Sequence, residues 1–174
     1  MAVQACVWEV LWTMPLNADD QRHLTAAEGY VALGMYLDAN AELEAIDAEV
    51  RHVAEVLAVR MEIYRGLKKW ELMRTVAARL AAHDPDDVQW AISLAYATRR
   101  AQSIEAARRI LLDAVEQHPG EPLLHYNLAC YECQLGLLEV AKGRLAHAFK
   151  LAPKCRLMAL EDDDLAPLWD SLAG

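Results

Sequence analysis

The chain has 174 residues, 55% of them hydrophobic, with only 7 glycines and 6 prolines, which is enough apolar material for one packed domain and too few breakers for disorder. Its net charge of −9 does not fit a nucleic-acid-binding domain, and no apolar run approaches the ~20 residues that span a bilayer. A single phenylalanine beside abundant alanine and leucine points to helices rather than sheets.

In chain order, residues 1–19 read as an N-terminal extension. Val3 to Leu11 is apolar but contains Glu9 and has no basic leader, so it does not read as a secretory signal, and translation from Met14 would remove it. Pro15 to Asp20 looks like the approach to a first helix. From there the chain divides into four units, 20–53, 54–87, 88–121 and 122–155, framed by the equally spaced Pro85, Pro119 and Pro153. The first unit carries Ala27, Tyr30, Leu33-Gly34 and Ala39 but lacks its proline. The second has Tyr64 and Trp70, with Arg60, Met61 and Met73 at places where the other units carry leucine or alanine. The third has Leu94, Ala95, Ala107, Leu111, Ala114 and Pro119; Arg99-Arg100 closes its first helix and Ala101 to Ser103 form the turn. In the fourth, His125 to Tyr131 open a helix that Leu135-Gly136 ends, and a second helix runs from about Leu138 to Leu151 with Ala141, Leu145 and Ala148 on its close-packed side. Residues 156–174 read as a C-terminal cap, with Leu157 to Leu160 and Leu165-x-x-Leu168-Trp169 supplying the apolar face that covers the last repeat, Glu161 to Asp164 solvated, and Asp164 able to cap the final turn.

The constant step from Pro85 to Pro119 to Pro153, with each proline just after a second helix, resembles the tetratricopeptide repeat and its period of about 34 residues. The resemblance covers roughly residues 20–170 and is to bacterial proteins of this type. Asn127-Leu128-Ala129-Cys130 together with Asp162-x-Asp164-Leu165-x-x-Leu168 is similar to the repeat that ends many such arrays. The resemblance implies an all-α, right-handed superhelix of about four helix-turn-helix repeats with a C-terminal capping helix, acting as a non-enzymatic module that binds a protein or peptide in its concave groove. In such arrays the first helix of each repeat lines the groove. Carried onto this sequence, the groove positions are Glu28, Glu62, Arg65, Gln89, Ile92, Tyr96, Arg99, Arg100, Tyr126, Cys130, Cys133 and Gln134, with Asn127 at one site of the lysine-and-asparagine carboxylate clamp whose other members are missing. Arginine forks there suit acidic side chains or a C-terminal carboxylate. Net charge agrees: residues 61–110 carry +3 between ends of −7 and −5.

Other chemistries are weaker readings. Cys130-x-x-Cys133 has the spacing of a metal or redox pair, with His125 nearby, but there is no second pair and the motif lies inside a helix rather than opening one beside a strand; small buried thiols are the plainer reading. Arg108 and Arg109 read as solvated, His83 and His118 as helix-end residues, and Trp70, Trp90 and Trp169 as core. No nucleophile triad, phosphate-cradling loop or metal-helix motif is present. The expectation is therefore no catalytic residue, no metal, no cofactor, no nucleic-acid or membrane partner, a reducing cytoplasm, and an unassigned oligomeric state. Two alternatives stand beside the interaction module: a secretion-type chaperone for a dedicated client, and a thiol- or metal-dependent protein built on Cys130 and Cys133.

Overall fold

The structure is a computed structural model describing residues 14–172; the apolar stretch Val3 to Leu11, read as an extension, lies outside the described residues. The fold is all-α, and among the described residues there are no strands. It is a succession of helical hairpins of the tetratricopeptide type: α1 (Ala18–Ala32) with α2 (Tyr36–Ala45), α3 (Ala54–Gly66) with α4 (Trp70–His83), α5 (Val88–Ala101) with α6 (Ile104–Gln117), and α7 (Pro122–Gln134) with α8 (Leu138–Leu151). Helices α3, α5 and α7 start at equal intervals, at Ala54, Val88 and Pro122, in step with the prolines. Contacts divide the chain into two compact units, one ending at His83 and the other starting at Asp84.

Helix starts follow from local chemistry. Asn17 accepts from the amides of Asp19 and Asp20 at 2.9 Å each and starts α1; Asp87 accepts from Gln89 N and Ser103 from Ala106 N to start α5 and α6. Pro122 sits in the first turn of α7, where its missing N–H costs nothing. The ends are as regular. Gly34 and Gly136 adopt φ of +72° and +75°, and Lys68, in the same place of the second hairpin, adopts +55°. At all three turns the amide of the following residue reaches back to a carbonyl five residues earlier: Met35 to Tyr30 at 2.9 Å, Lys69 to Tyr64 at 2.8 Å, Leu137 to Glu132 at 2.9 Å. The third hairpin turns through Gln102 and Ser103 alone, without a left-handed residue.

The period is written into the core. Ala39, Met73, Ala107 and Ala141 occupy one place in successive hairpins, Leu43, Ala77, Leu111 and Leu145 the next, and Ile46, Leu80, Ala114 and Ala148 the third; all are buried. The first unit keeps this register without the proline, because Arg51 stands in the proline's place and donates from Nε to the Ile46 carbonyl at 2.7 Å, at the end of α2. Gly66 permits a close approach there: a Cβ on it would fall 2.1 Å from Cζ of Tyr36.

The cap departs from the expected single helix. It consists of α9 (Lys154–Ala159), a 3-10 turn over Asp163–Leu168 and the short α10 (Trp169–Leu172). Cys155, Ala159, Leu165, Leu168 and Leu172 enter the core of the second unit. Leu165 and Leu168 are buried as expected, whereas of the Leu157 to Leu160 stretch only Ala159 reaches the core; Leu157 is 72% exposed, and Met158 and Leu160 are exposed too. A helix of six residues docks one face, and Cys155 with Ala159, four apart, take it.

Lys68→Gly relieves the left-handed strain of a residue with a Cβ and should raise stability by about 0.5–1 kcal/mol in urea unfolding. Gly66→Ala should lower it by about 1–3 kcal/mol, because the Tyr36 ring has to move.

Candidate functional site

In the second unit, the last turn of α5 and the length of α7 present Arg99, Tyr126, Cys130, Tyr131 and Gln134. These side chains converge on one segment of the chain itself. Asp162 starts the 3-10 turn by accepting from Asp164 N at 3.0 Å, and its other oxygen accepts from the Tyr126 hydroxyl at 2.8 Å and the Cys130 thiol at 3.4 Å. Asp164 meets the Arg99 guanidinium in a two-point pair, with Nη2 to Oδ1 at 2.9 Å and Nη1 on Oδ2. The Gln134 amide donates to the Asp164 carbonyl at 2.8 Å. Arg99 also lies over the Tyr131 ring, 5.3 Å from its centre. Leu165 and Leu168 follow into the core. The helix start belongs to Asp162 rather than Asp164, and two of the acids read as solvated are instead half-buried partners of side chains on α5 and α7.

Electrostatics follow from this packing. The hydrogen bond to Asp164 raises the pKa of Arg99 despite partial burial. Burial, with the Asp162 carboxylate beside them, pushes the Tyr126 phenol and the Cys130 thiol far up, and burial raises Cys133. Both thiols are therefore held protonated, which is the reverse of what a nucleophile or metal ligand needs. Among the described residues no group of three or more His, Cys, Asp or Glu side chains is arranged to hold a metal, and Cys130, Cys133 and Cys155 are free and buried.

The remaining groove candidates fall elsewhere. Glu62 and Arg65 pair with each other on α3, in the first unit. Arg100 lies over the Tyr96 ring at 5.3 Å. Gln89 is exposed at the start of α5, and Asn127 turns its amide to the Leu123 carbonyl at 2.8 Å.

Sequence reasoning missed Glu132. It is fully buried on α7, where its Oε1 takes Nε and Nη2 of Arg108 at 3.1 and 2.9 Å, while Oε2 lies 3.7 Å from Nε of Arg144. Arg108 is thus not the solvated residue the sequence suggested. Two arginines on α6 and α8 flanking an acid on α7 were the available signal. His125, also buried, donates from Nε2 to the Pro119 carbonyl at 2.8 Å and packs edge-on against His147, with ring centres 4.3 Å apart.

No protein-family model and no curated protein sequence matches the chain. Solved structures do. A double mutant of MamA RS-1 superposes with a TM-score of 0.68 at 16% identity, over 87% of this chain and 85% of that one. MamA MSR-1 gives 0.65 at 20% identity, over 88% and 90%. MamA is a tetratricopeptide-like helical protein, and at this identity the likeness concerns the fold.

Two outcomes follow. Glu132→Ala leaves two guanidiniums facing a void and should cost about 3 kcal/mol in denaturant unfolding. Burial, opposed by the Pro119 hydrogen bond and aided by His147 and Arg144, lowers the His125 pKa below 6.5. A depressed histidine stabilises the fold fully above the unfolded value, and that stabilisation is lost as pH falls below it. The melting temperature should therefore drop between pH 7.5 and pH 5.5, and His125→Gln should flatten that drop.

Proposed function

We propose that this protein is a non-enzymatic interaction module that binds acidic segments of other proteins along the groove lined by α5 and α7. The observation that carries this reading is the mode in which Asp162 to Leu168 lies there: Arg99, Tyr126, Cys130 and Gln134 hold two carboxylates and a carbonyl, and Leu165 and Leu168 insert behind them. Each element of peptide capture is present, namely an arginine fork, neutral donors and apolar pockets. The segment is an internal ligand, and a partner with the same acid-x-acid-leucine chemistry takes its place when it is released. Rigid helices carry the site, so the flexible partner bears most of the ordering cost. Free thiols suit a reducing compartment such as the cytoplasm.

The test uses a labelled peptide of residues 161–172 added to the full chain. The double variant Asp162→Asn/Asp164→Asn, which weakens the internal segment, should bind it about tenfold or more tightly than wild type, and adding Arg99→Glu should abolish binding. A double variant whose segment exchanges its amides freely yet takes up no peptide would show that the segment is only a structural cover.

A further inference from the structure

A segment of the chain that binds as a ligand is carried by every copy of the chain, and the residues leading into this one are exposed apolar side chains. The short α9 buries Cys155 and Ala159 but leaves Leu157 72%, Met158 42% and Leu160 38% exposed. These three large side chains stand within four consecutive residues, directly before the docked stretch. Clustered in this way, they mark a contact surface more than a solvated face.

The backbone that joins α9 to the segment is short. The amides of Leu160 and Glu161 close α9 on the carbonyls of Leu157 and Met158, at 3.3 and 3.2 Å, each reaching back only three residues. Leu160 still has helical torsions, φ −79° and ψ −13°, whereas Asp162 is extended at φ −93° and ψ 110°. Returning the chain near Asp162 to helical torsions carries the segment along the axis of α9 and away from its own groove. Side-chain bonds hold it down instead. These are the Arg99 fork, the Tyr126, Cys130 and Gln134 bonds, and two ties to α9: Trp169 Nε1 to the Ala159 carbonyl at 3.0 Å and Arg156 Nη2 to the Leu172 carbonyl at 2.9 Å. A second copy offers every one of these partners again.

We infer that two copies exchange these segments, each laying its Asp162 to Leu172 in the groove lined by α5 and α7 of the other. The inference rests on the reading of the segment as a displaceable internal ligand, and it names the partner. Exchanging an identical element is a low-cost route to a dimer, because every docked contact is remade. It also sets the two hinges side by side about a two-fold axis, where Leu157, Met158 and Leu160 of one copy meet those of the other. A foreign peptide fills the groove and leaves that apolar cluster in water, whereas a second copy covers both. The exchange concerns the second unit alone.

The experiment mixes two full-length variants with opposite charge reversals. Arg99→Asp sets two carboxylates against each other within a chain, and Asp164→Arg sets two guanidiniums. Exchange between the two variants restores one native pair and creates one reversed pair, both attractive. Each variant alone should stay monomeric by light scattering, and the equimolar mixture should give a heterodimer that melts above either. Wild type should dimerise at a concentration about tenfold or more below the millimolar effective concentration of its own segment. Leu157→Ser/Met158→Ser changes only exposed side chains, so it should melt like wild type when dilute and dimerise about tenfold more weakly or worse. Monomers in the mixture at about 1 mM, a dimer that forms as well in Arg99→Asp alone, or undiminished dimerisation of the double serine variant overturns the inference. Uptake of the 161–172 peptide without any exchanged dimer removes the exchange and leaves the groove reading standing; failure of both removes both.

Discussion

A pair of short helices cannot bury its own apolar face. Within each unit one hairpin packs its apolar face against the other, three buried positions recur in every hairpin, and the last hairpin needs a closing piece. In the second unit that piece comes from the chain's end. Leu165, Leu168 and Leu172 fill the remaining apolar space. The same wall also carries a guanidinium, a phenol, a thiol and an amide that need partners once water is excluded. Asp162 and Asp164 supply them, so one short segment satisfies both demands of the open end.

That arrangement sets the terms on which anything else can bind there. A segment held by Leu160 and Glu161 to a helix that is itself docked on the core competes at an effective concentration on the order of millimolar. An outside ligand must therefore match it in both charges and both leucines, or arrive when the segment is away.

Much of the fold could be read from the sequence because the repeat writes the same physical requirement at a fixed interval. Prolines mark where helices must stop, small residues where they must approach, and Gly34 and Gly136 where the chain must turn left-handed. Lys68 at the same interval was silent, since a lysine there pays strain instead of announcing the turn. The site was legible as a set of residues and not as an occupied site. Periodicity assigns a side chain to a face, but it says nothing about which distant segment lies on that face. Arg99 was singled out for an acidic ligand, and Asp164, 65 residues away, was read as solvated because an acidic run has no periodicity of its own. The pairing of Asn127 to Cys130 with Asp162 to Leu168 was the one sequence clue to that contact. Glu132 escaped for a related reason: a charged residue inside a helix looks exposed until the arginines of both neighbouring helices are brought to it.

Asp164 and Arg99, held together as a two-point pair between the C-terminal segment and α5, are the contact on which the segment's docking depends. A double-mutant cycle of Arg99→Met and Asp164→Asn, read by denaturant unfolding of the full chain, measures this directly. The structure predicts a coupling of about 1 kcal/mol or more between the two substitutions; effects that simply add, within about 0.5 kcal/mol, would contradict it.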